Sequence, residues 1–390
     1  MIARDVMIER TVRAFWNAHR REPAVVAFAP GRVNLIGEHT DYNDGFALPC
    51  ALECGTVVAL AARDDRRIVA QAIDLGSEAA EFLIDGEIPM LATGHWQNHL
   101  RGIVAGLPRF GLPVTGANLV ISGNIPKGAG LSSSASLGIA LGLGMATLAG
   151  ASKIDRLVLA QAAQWSEHHF VGCNCGVMDQ VASALGQRES ALLIDCRSLA
   201  TEPVAFPAQA AIMIVQSGVV RGMVDSAYNE RRAQCAAAAD YYGVAALRDL
   251  DVDALATGHC GLAEAALRRA RHVVTENART IEAAQAMMRG DLGALGDAMR
   301  ASHASLRDDF EVSVPAVDAL VDCLNTAIGR HGGARMTGGG FGGCVVAVLP
   351  NEMVATVQRR LAGFWQDSTI PDQLVLVTRP SVGAVLLPAR

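Results

Sequence analysis

The chain has 390 residues, of which 51% are hydrophobic and 18% charged, with a formal net charge of −6. That length supports two or three domains with buried cores, the apolar fraction excludes a disordered protein, and the negative balance gives no electrostatic reason to bind nucleic acid or an anionic membrane. Nine scattered cysteines, an odd number, suggest reduced thiols in a cytoplasm more than a disulfide framework.

Arg4, Asp5, Glu9 and Arg10 interrupt the N-terminus, so it lacks the continuous apolar core of a signal peptide. Ile8, Val12, Phe15 and Trp16 recur at helical spacing and predict an amphipathic first helix. Ala24–Ala29 reads as a buried strand leading into Pro30-Gly-Arg-Val-Asn-Leu-Ile-Gly-Glu-His-Thr-Asp-Tyr-Asn-Asp-Gly45, a polar stretch with no period that would place it on one solvated face. Glu38, His39 and Asp41 suit a ligand rich in hydroxyls, with turn and cap roles as the structural alternative. Leu52–Ala62, Arg67–Ile73 and Glu81–Asp85 read as strands of a mostly antiparallel sheet. Trp96 lies on a helix running to about Leu107, where it would touch an aromatic ligand or fill the core.

The strand Ala117–Gly123 feeds Pro126-Lys-Gly-Ala-Gly-Leu-Ser-Ser-Ser-Ala135, after which an Ala/Leu-rich helix begins. Gly128 and Gly130 remove Cβ atoms, and Ser132, Ser133 and Ser134 stand at the helix start. Unpaired amides and the positive end of the helix dipole there form an anion site, although a capped helix after a tight turn would look similar. Lys127 is the only lysine beside this loop. The uncharged run from Leu131 to Lys153 predicts a buried core helix, because it lacks the basic or aromatic flanks of a membrane span.

A helix over Asp155–Phe170 carries Glu167 near its end, and Asp179 begins a short helix within Cys-Gly-Val-Met-Asp-Gln. Cys173-Asn-Cys175, with His168 and His169 nearby, matches none of the common zinc spacings. Thr201–Pro207 is the best domain boundary, dividing residues 1–205 from 206–390. Tyr228 sits in an Arg-rich helix from about Val224, and helical pattern dominates 262–330. Gly338, Gly340 and Gly343 satisfy Gly-x-Gly-x-x-Gly, but an extended Val-rich segment follows, where a dinucleotide fingerprint requires a helix.

Walker-type and protein-kinase phosphate motifs are absent. Phosphoryl transfer nevertheless needs a phosphate cradle, a divalent cation, a positive group on the transferring phosphoryl and a carboxylate for the acceptor hydroxyl. The glycine-serine loop, a loop serine with Glu167, Arg32 and Asp179 are candidates for these in turn.

Three separated motifs together resemble the GHMP family of small-molecule kinases: Pro126–Ala135 its phosphate loop, Thr337–Gly343 its C-terminal glycine motif, and Gly31–Gly45 the galactokinase signature. Gly172–Gln180, Tyr228–Cys235 and Ser302–Phe310 are similar to galactokinases too, so the resemblance spans nearly the whole chain. It implies an α+β fold of two domains, an N-terminal one of ribosomal-S5 type and a C-terminal ferredoxin-like one, with the site in the cleft between them. It also implies ATP-dependent phosphorylation of α-D-galactose at its anomeric hydroxyl. By the resemblance Glu38, His39, Thr40, Asp41 and Tyr228 hold the sugar, Asp179 takes or orients the attacking proton, and Arg32 supports Asp179 and the transition-state charge. Gly128, Ala129, Gly130, Leu131, Ser132, Ser133 and Ser134 form the triphosphate loop, Trp96 stands on the adenine side, and Ser134 with Glu167 binds Mg²⁺. Arg32 beside Asp179 would make that carboxylate a weak base, favouring orientation and electrostatics over early deprotonation. His99 departs from the family, which often has Tyr there. Galactose and ATP are the expected partners of a cytoplasmic monomer or weak homo-oligomer. A kinase of N-acetylgalactosamine or L-arabinose and a non-catalytic galactose/ATP sensor are the rival readings.

Overall fold

The computed structural model describes residues 2–126, 128–219, 224–256, 261–365 and 374–388, apart from the side chains of 224–226 and 256. Lys127 lies outside the described residues.

Six strands form the first sheet, in the spatial order Val385–Leu387, Val25–Asn34, Pro49–Arg63, Gly116–Gly123, Arg67–Ala72 and Glu78–Leu83. Only the pairing of Arg67–Ala72 with Gly116–Gly123 is parallel, so the sheet is largely antiparallel as its sequence suggests. Its central strands are apolar on both faces, for a visible reason. Ala27, Ala29, Val58 and Leu60 join one core with the helix Ser133–Leu148 and with residues of the helices Gln97–Gly106 and Arg156–Ser166. The alternate residues Val26, Phe28, Val57 and Ala59 pack against Met7 and Phe15 of the helix Arg4–His19. A sheet covered twice has no solvent face to mark with polar residues. Ser133–Leu148 is likewise enclosed, and no helix among the described residues is long and apolar enough to cross a membrane.

The second sheet runs Gly333–Thr337, Cys344–Pro350, Ala210–Gln216 and Val375–Thr378, antiparallel throughout. Period-two alternation splits its side chains between two cores. Met213, Val215, Val345 and Ala347 face a core shared with Val273, Leu306 and Leu320 of the C-terminal helices. Ile212, Ile214, Val346 and Val348 instead meet Val33, Leu35, Leu48 and Leu52 from the first part of the chain. This shared apolar core joins the two sheets and fixes the cleft where the polar motifs converge.

Two details differ from expectation. Within the stretch read as a boundary, Thr201–Ala205 is the edge strand of a three-stranded sheet with Ser190–Asp195 and Phe46–Ala47. Val204 is its only buried side chain, and Pro203 is tolerated at an edge, so five residues that look like a loop still pair. The strand Val385–Leu387 joins the first sheet from the far end of the chain, in a segment too short to announce itself.

Candidate active site

Arg32 sits not in a loop but on the strand Val25–Asn34, just past a register shift between Pro30 and Arg32. Such irregularities re-aim a side chain, and here the strand is laid against the glycine loop. A Cβ on Gly31 would stand 2.5 Å from the Leu131 carbonyl oxygen, so only glycine permits the approach. The Arg32 amide donates to Leu131 O at 3.2 Å, and its Nη1 to Gly130 O at 2.8 Å. The remaining guanidinium donors grip Asp179 in a fork, Nε to Oδ1 at 2.6 Å and Nη2 to Oδ2 at 2.7 Å. Burial opposes the Arg32 charge, but Asp179 and Glu38 outweigh it and raise its pKa.

Ser132 is left-handed at φ 57° and precedes the helix Ser133–Leu148, yet its hydroxyl donates to Asp179 instead of capping the helix. The capped-helix alternative for this loop therefore does not describe Ser132. Helix amides at this terminus remain available to an anion. Asp179 itself lies in the first turn of Met178–Leu185.

The Glu38–Asp41 segment is held by the C-terminal half of the chain. Glu38 Oε1 accepts from the Gly338 amide at 2.7 Å and the Thr337 hydroxyl at 3.1 Å, with Arg335 at 3.5 Å. His272 Nε2 contacts the Glu38 carbonyl, and the fully buried Glu276 accepts from the Gly37 amide at 3.1 Å and from Ser302 at 2.6 Å. His39 Nδ1 lies 2.8 Å from the Tyr42 hydroxyl, while its buried Nε2 has no partner. Burial, with His272, Arg335 and Arg231 nearby, pushes His39 well below the ordinary imidazole range, so the ring is neutral. Tyr228 lies beside it, ring centroids 5.5 Å apart. Asp41 approaches closely because residue 176 is glycine, where a Cβ would fall 1.9 Å from Asp41 Oδ2. Burial, then the charges of Asp179 and Glu38, raise the Asp41 carboxyl to about 7.

Glu167 opens a π-helical turn, Glu167–Val171, that extends the helix Arg156–Ser166. Its Oε2 lies 3.3 Å from Ser134 Oγ, and its Oε1 accepts from Gln180 Nε2 at 3.0 Å. Burial and the nearby Asp179 raise its pKa to about 7, despite hydrogen bonds that favour the anion.

These groups line one cavity of about 310 Å³, which takes in Arg32, Glu38, His39, Asp41, Gly128, Gly130, Leu131, Ser132, Ser133, Ser134, Glu167, Asp179, Tyr228, Gly338 and Gly339. Three predicted site residues, Thr40, Ala129 and Trp96, stay outside it. The Thr40 hydroxyl is spent on Gly37 O and Phe46 O, bracing the loop, and Ala129 is fully buried in the core between the sheets. Trp96 lines a second cavity of about 260 Å³ that also contains His99, Ser133 and Ser134. A roomier groove of about 480 Å³ between Arg4–His19 and Val385–Leu387 shares no residue with the glycine loop. Gln180, Arg335 and Glu276 carry no role in the sequence, and Thr337 enters only as the start of a glycine motif. Gln180 adjoins Asp179 in a noted motif, but nothing in the chain marks Glu276.

The galactose-binding signature of galactokinases matches residues 13–62, the N-terminal domain of GHMP kinases residues 98–187, and their C-terminal domain residues 283–367. Lactococcus lactis galactokinase, solved with galactose, is 32% identical with a TM-score of 0.89, over 96% of this chain and 98% of that one. Methanococcus jannaschii mevalonate kinase is 18% identical with a TM-score of 0.65, over 93% and 99%. Streptococcus pneumoniae phosphomevalonate kinase is 14% identical with a TM-score of 0.63, over 90% and 99%. The last two share the fold alone, and that fold is the α+β architecture of the GHMP kinases, which use ATP as co-substrate. Within that class, the chain belongs to the galactokinase family.

Proposed function

We propose that this site transfers the γ-phosphoryl group of ATP to the anomeric hydroxyl of α-D-galactose, giving galactose 1-phosphate. The observation that carries the reading is the placement of one arginine. Arg32 bonds the glycine loop with Nη1 and grips Asp179 with Nε and Nη2, linking the phosphate cradle to a carboxylate at the sugar end.

Asp179 orients the attacking hydroxyl and accepts its proton. Both of its oxygens already accept from Arg32, one also from Ser132, which favours positioning and electrostatics over early full deprotonation. Arg32 then stabilises the charge that develops on the transferring group. At the sugar end Glu38 offers its second oxygen to a hydroxyl, the unpartnered His39 Nε2 meets another, and Asp41 and Tyr228 complete the wall. The amides from Gly128 to Ser134 receive the triphosphate, and the cavity of Trp96 and His99 receives the base.

Ser134 and Glu167 fit a magnesium ion by their chemistry, a hydroxyl and a buried carboxylate that together offer hard oxygen donors 3.3 Å apart. When bound, Mg²⁺ neutralises phosphate charge. The division at 205/206 belongs to the same reading, with Val385–Leu387 returning to the first sheet. So does a cytoplasmic monomer or weak homo-oligomer that engages neither nucleic acid nor membrane.

The test is ADP release and ³¹P detection of the sugar phosphate, with kcat/KM compared across galactose, 2-deoxygalactose, N-acetylgalactosamine and arabinose in MgATP. Galactose is expected to lead. A higher value for another sugar sinks the substrate assignment, and binding without turnover sinks the kinase.

A further inference from the structure

We propose that Glu167, Cys173 and Cys175 form a binding site for a thiophilic divalent cation of the zinc class at the wall of the active-site cavity. The ligand atoms of these three residues lie within 4.8 Å of one another. Cys175 Sγ is 3.8 Å from Glu167 Oε2. All three residues line the cavity, so a fourth coordination position opens onto water or a bound phosphate.

Sequence spacing missed this set because the third ligand comes from the preceding helix. The π-helical turn lets the amides of both Gly172 and Cys173 bond the Glu167 carbonyl, at 2.9 and 3.2 Å. Gly172, at φ 82°, then turns the chain back over the Glu167 side chain. Gln164 and His168 fix the Cys175 carbonyl at 3.2 and 2.7 Å, and Gln180 Nε2 holds Cys175 Sγ at 3.6 Å. The two histidines are therefore not the ligands. His168 is bonded to that carbonyl, and His169 stacks on Trp165.

Tetrahedral zinc with bonds of about 2.3 Å to sulfur and about 2.0 Å to oxygen places ligand atoms roughly 3.5–3.8 Å apart. The cluster thus closes by about 1 Å, a movement for the loop 172–177, which is outside regular secondary structure. Binding releases the two thiol protons to solvent. Thiolates favour zinc-class ions over magnesium, which prefers hard oxygens. Occupation inhibits the kinase because it takes Glu167, a consequence that rests on the proposed Mg²⁺ role of that residue.

Anaerobic titration of the full-length protein with Co²⁺ is expected to produce a sulfur-to-cobalt charge-transfer band saturating at one equivalent and displaced by Zn²⁺. Cys173→Ser and Cys175→Ser, shown folded by circular dichroism, should each weaken or abolish it, while Cys323→Ser keeps it. In the MgATP assay Cys173→Ser should raise the zinc concentration for half-inhibition at least about tenfold. No band, or a band unchanged in Cys173→Ser, overturns the site. A thiol-dependent band with turnover indifferent to zinc upholds the site and instead removes Glu167 from the magnesium assignment.

Discussion

The two ends of the cavity are built by opposite means. At the end proposed for the sugar, side chains are held by other side chains and by backbone from both halves of the molecule: Glu38 by Thr337 and Gly338, His39 by Tyr42, and the loop beneath them by Glu276 and His272. At the end proposed for the nucleotide, the available donors are backbone amides, presented by Gly128 and Gly130 at positive φ and by the start of Ser133–Leu148. Backbone amides bind any polyphosphate, whereas fixed side chains distinguish one ring of hydroxyls from another. Changes at the sugar end should therefore alter stability and sugar choice, and changes at the nucleotide end should alter ATP affinity alone.

The pair joining the two ends gives the largest effect. Asp179→Asn keeps the shape of the side chain but removes the charge that Arg32 grips through two bonds. It should lower kcat by roughly 10³-fold with circular dichroism unchanged. Near-normal turnover would dismiss Asp179 as the proton acceptor.

Next in size is the support of the sugar end. Burial works against the Glu276 anion, but Arg279, His272 and Arg335 more than compensate and bring its pKa down to about 2. A depressed carboxyl contributes stability that is present above its unfolded value near 4.5 and is lost as pH falls toward 2. Glu276→Gln should cost about 3 kcal/mol at neutral pH and raise the KM for galactose, since Gly37 and Ser302 lose their anionic acceptor. Between pH 5 and 3 the wild type should lose more stability than the variant, as measured by denaturant midpoints; parallel losses would refute the buried-anion account.

Glu276 also marks the limit of what the chain discloses. Arg32, Asp179 and the glycine loop were legible because their chemistry is local, a polar residue or glycine run where an apolar strand or helix should continue. Most of the strands were legible by apolar runs, but Val385–Leu387 and Phe46–Ala47 are too short to show a period, Thr201–Ala205 looks like a loop, and Gly333–Thr337 reads only as part of a glycine motif. Glu276 sits in a long amphipathic helix, and its partners come from the distant residues Gly37 and Ser302. The same reason hid Gln180 behind Glu167 and Arg335 behind Glu38, since contacts across the fold leave no periodic trace.

Asp41 shows the sugar end from its costly side. Burial first, then the charges of Asp179 and Glu38, hold its carboxyl at about 7, above an unfolded value near 3.8. A raised carboxyl stabilises fully below its unfolded pKa, and that contribution is lost as pH rises through about 7. Asp41→Asn should accordingly stabilise the protein at pH 8, on the order of 2 kcal/mol after allowance for its partial opening to the cavity. Near pH 4 the two proteins should have similar melting temperatures, and the variant should bind galactose more weakly. A variant less stable than wild type at pH 8 would show that Asp41 has a cationic partner in solution.

The smallest effect tests the nucleotide end. Trp96 Nε1 donates to Glu78 Oε2 at 2.7 Å across an exposed edge, and its ring walls the cavity next to Ser133 and Ser134. Trp96→Phe keeps a stacking face and loses only an exposed hydrogen bond, so the KM for ATP should barely change. Trp96→Ala removes the face; with base stacking worth about 1 kcal/mol at a partly open site, the KM for ATP should rise roughly fivefold. Because such stacking is the same in the ground and transition states, kcat should hold, and the KM for galactose should hold as well. If Trp96→Ala raised the KM for galactose equally, the base cavity would be coupled to Glu38–Asp41. The path for that coupling would then run through Arg32, whose side chain bonds both the glycine loop and Asp179.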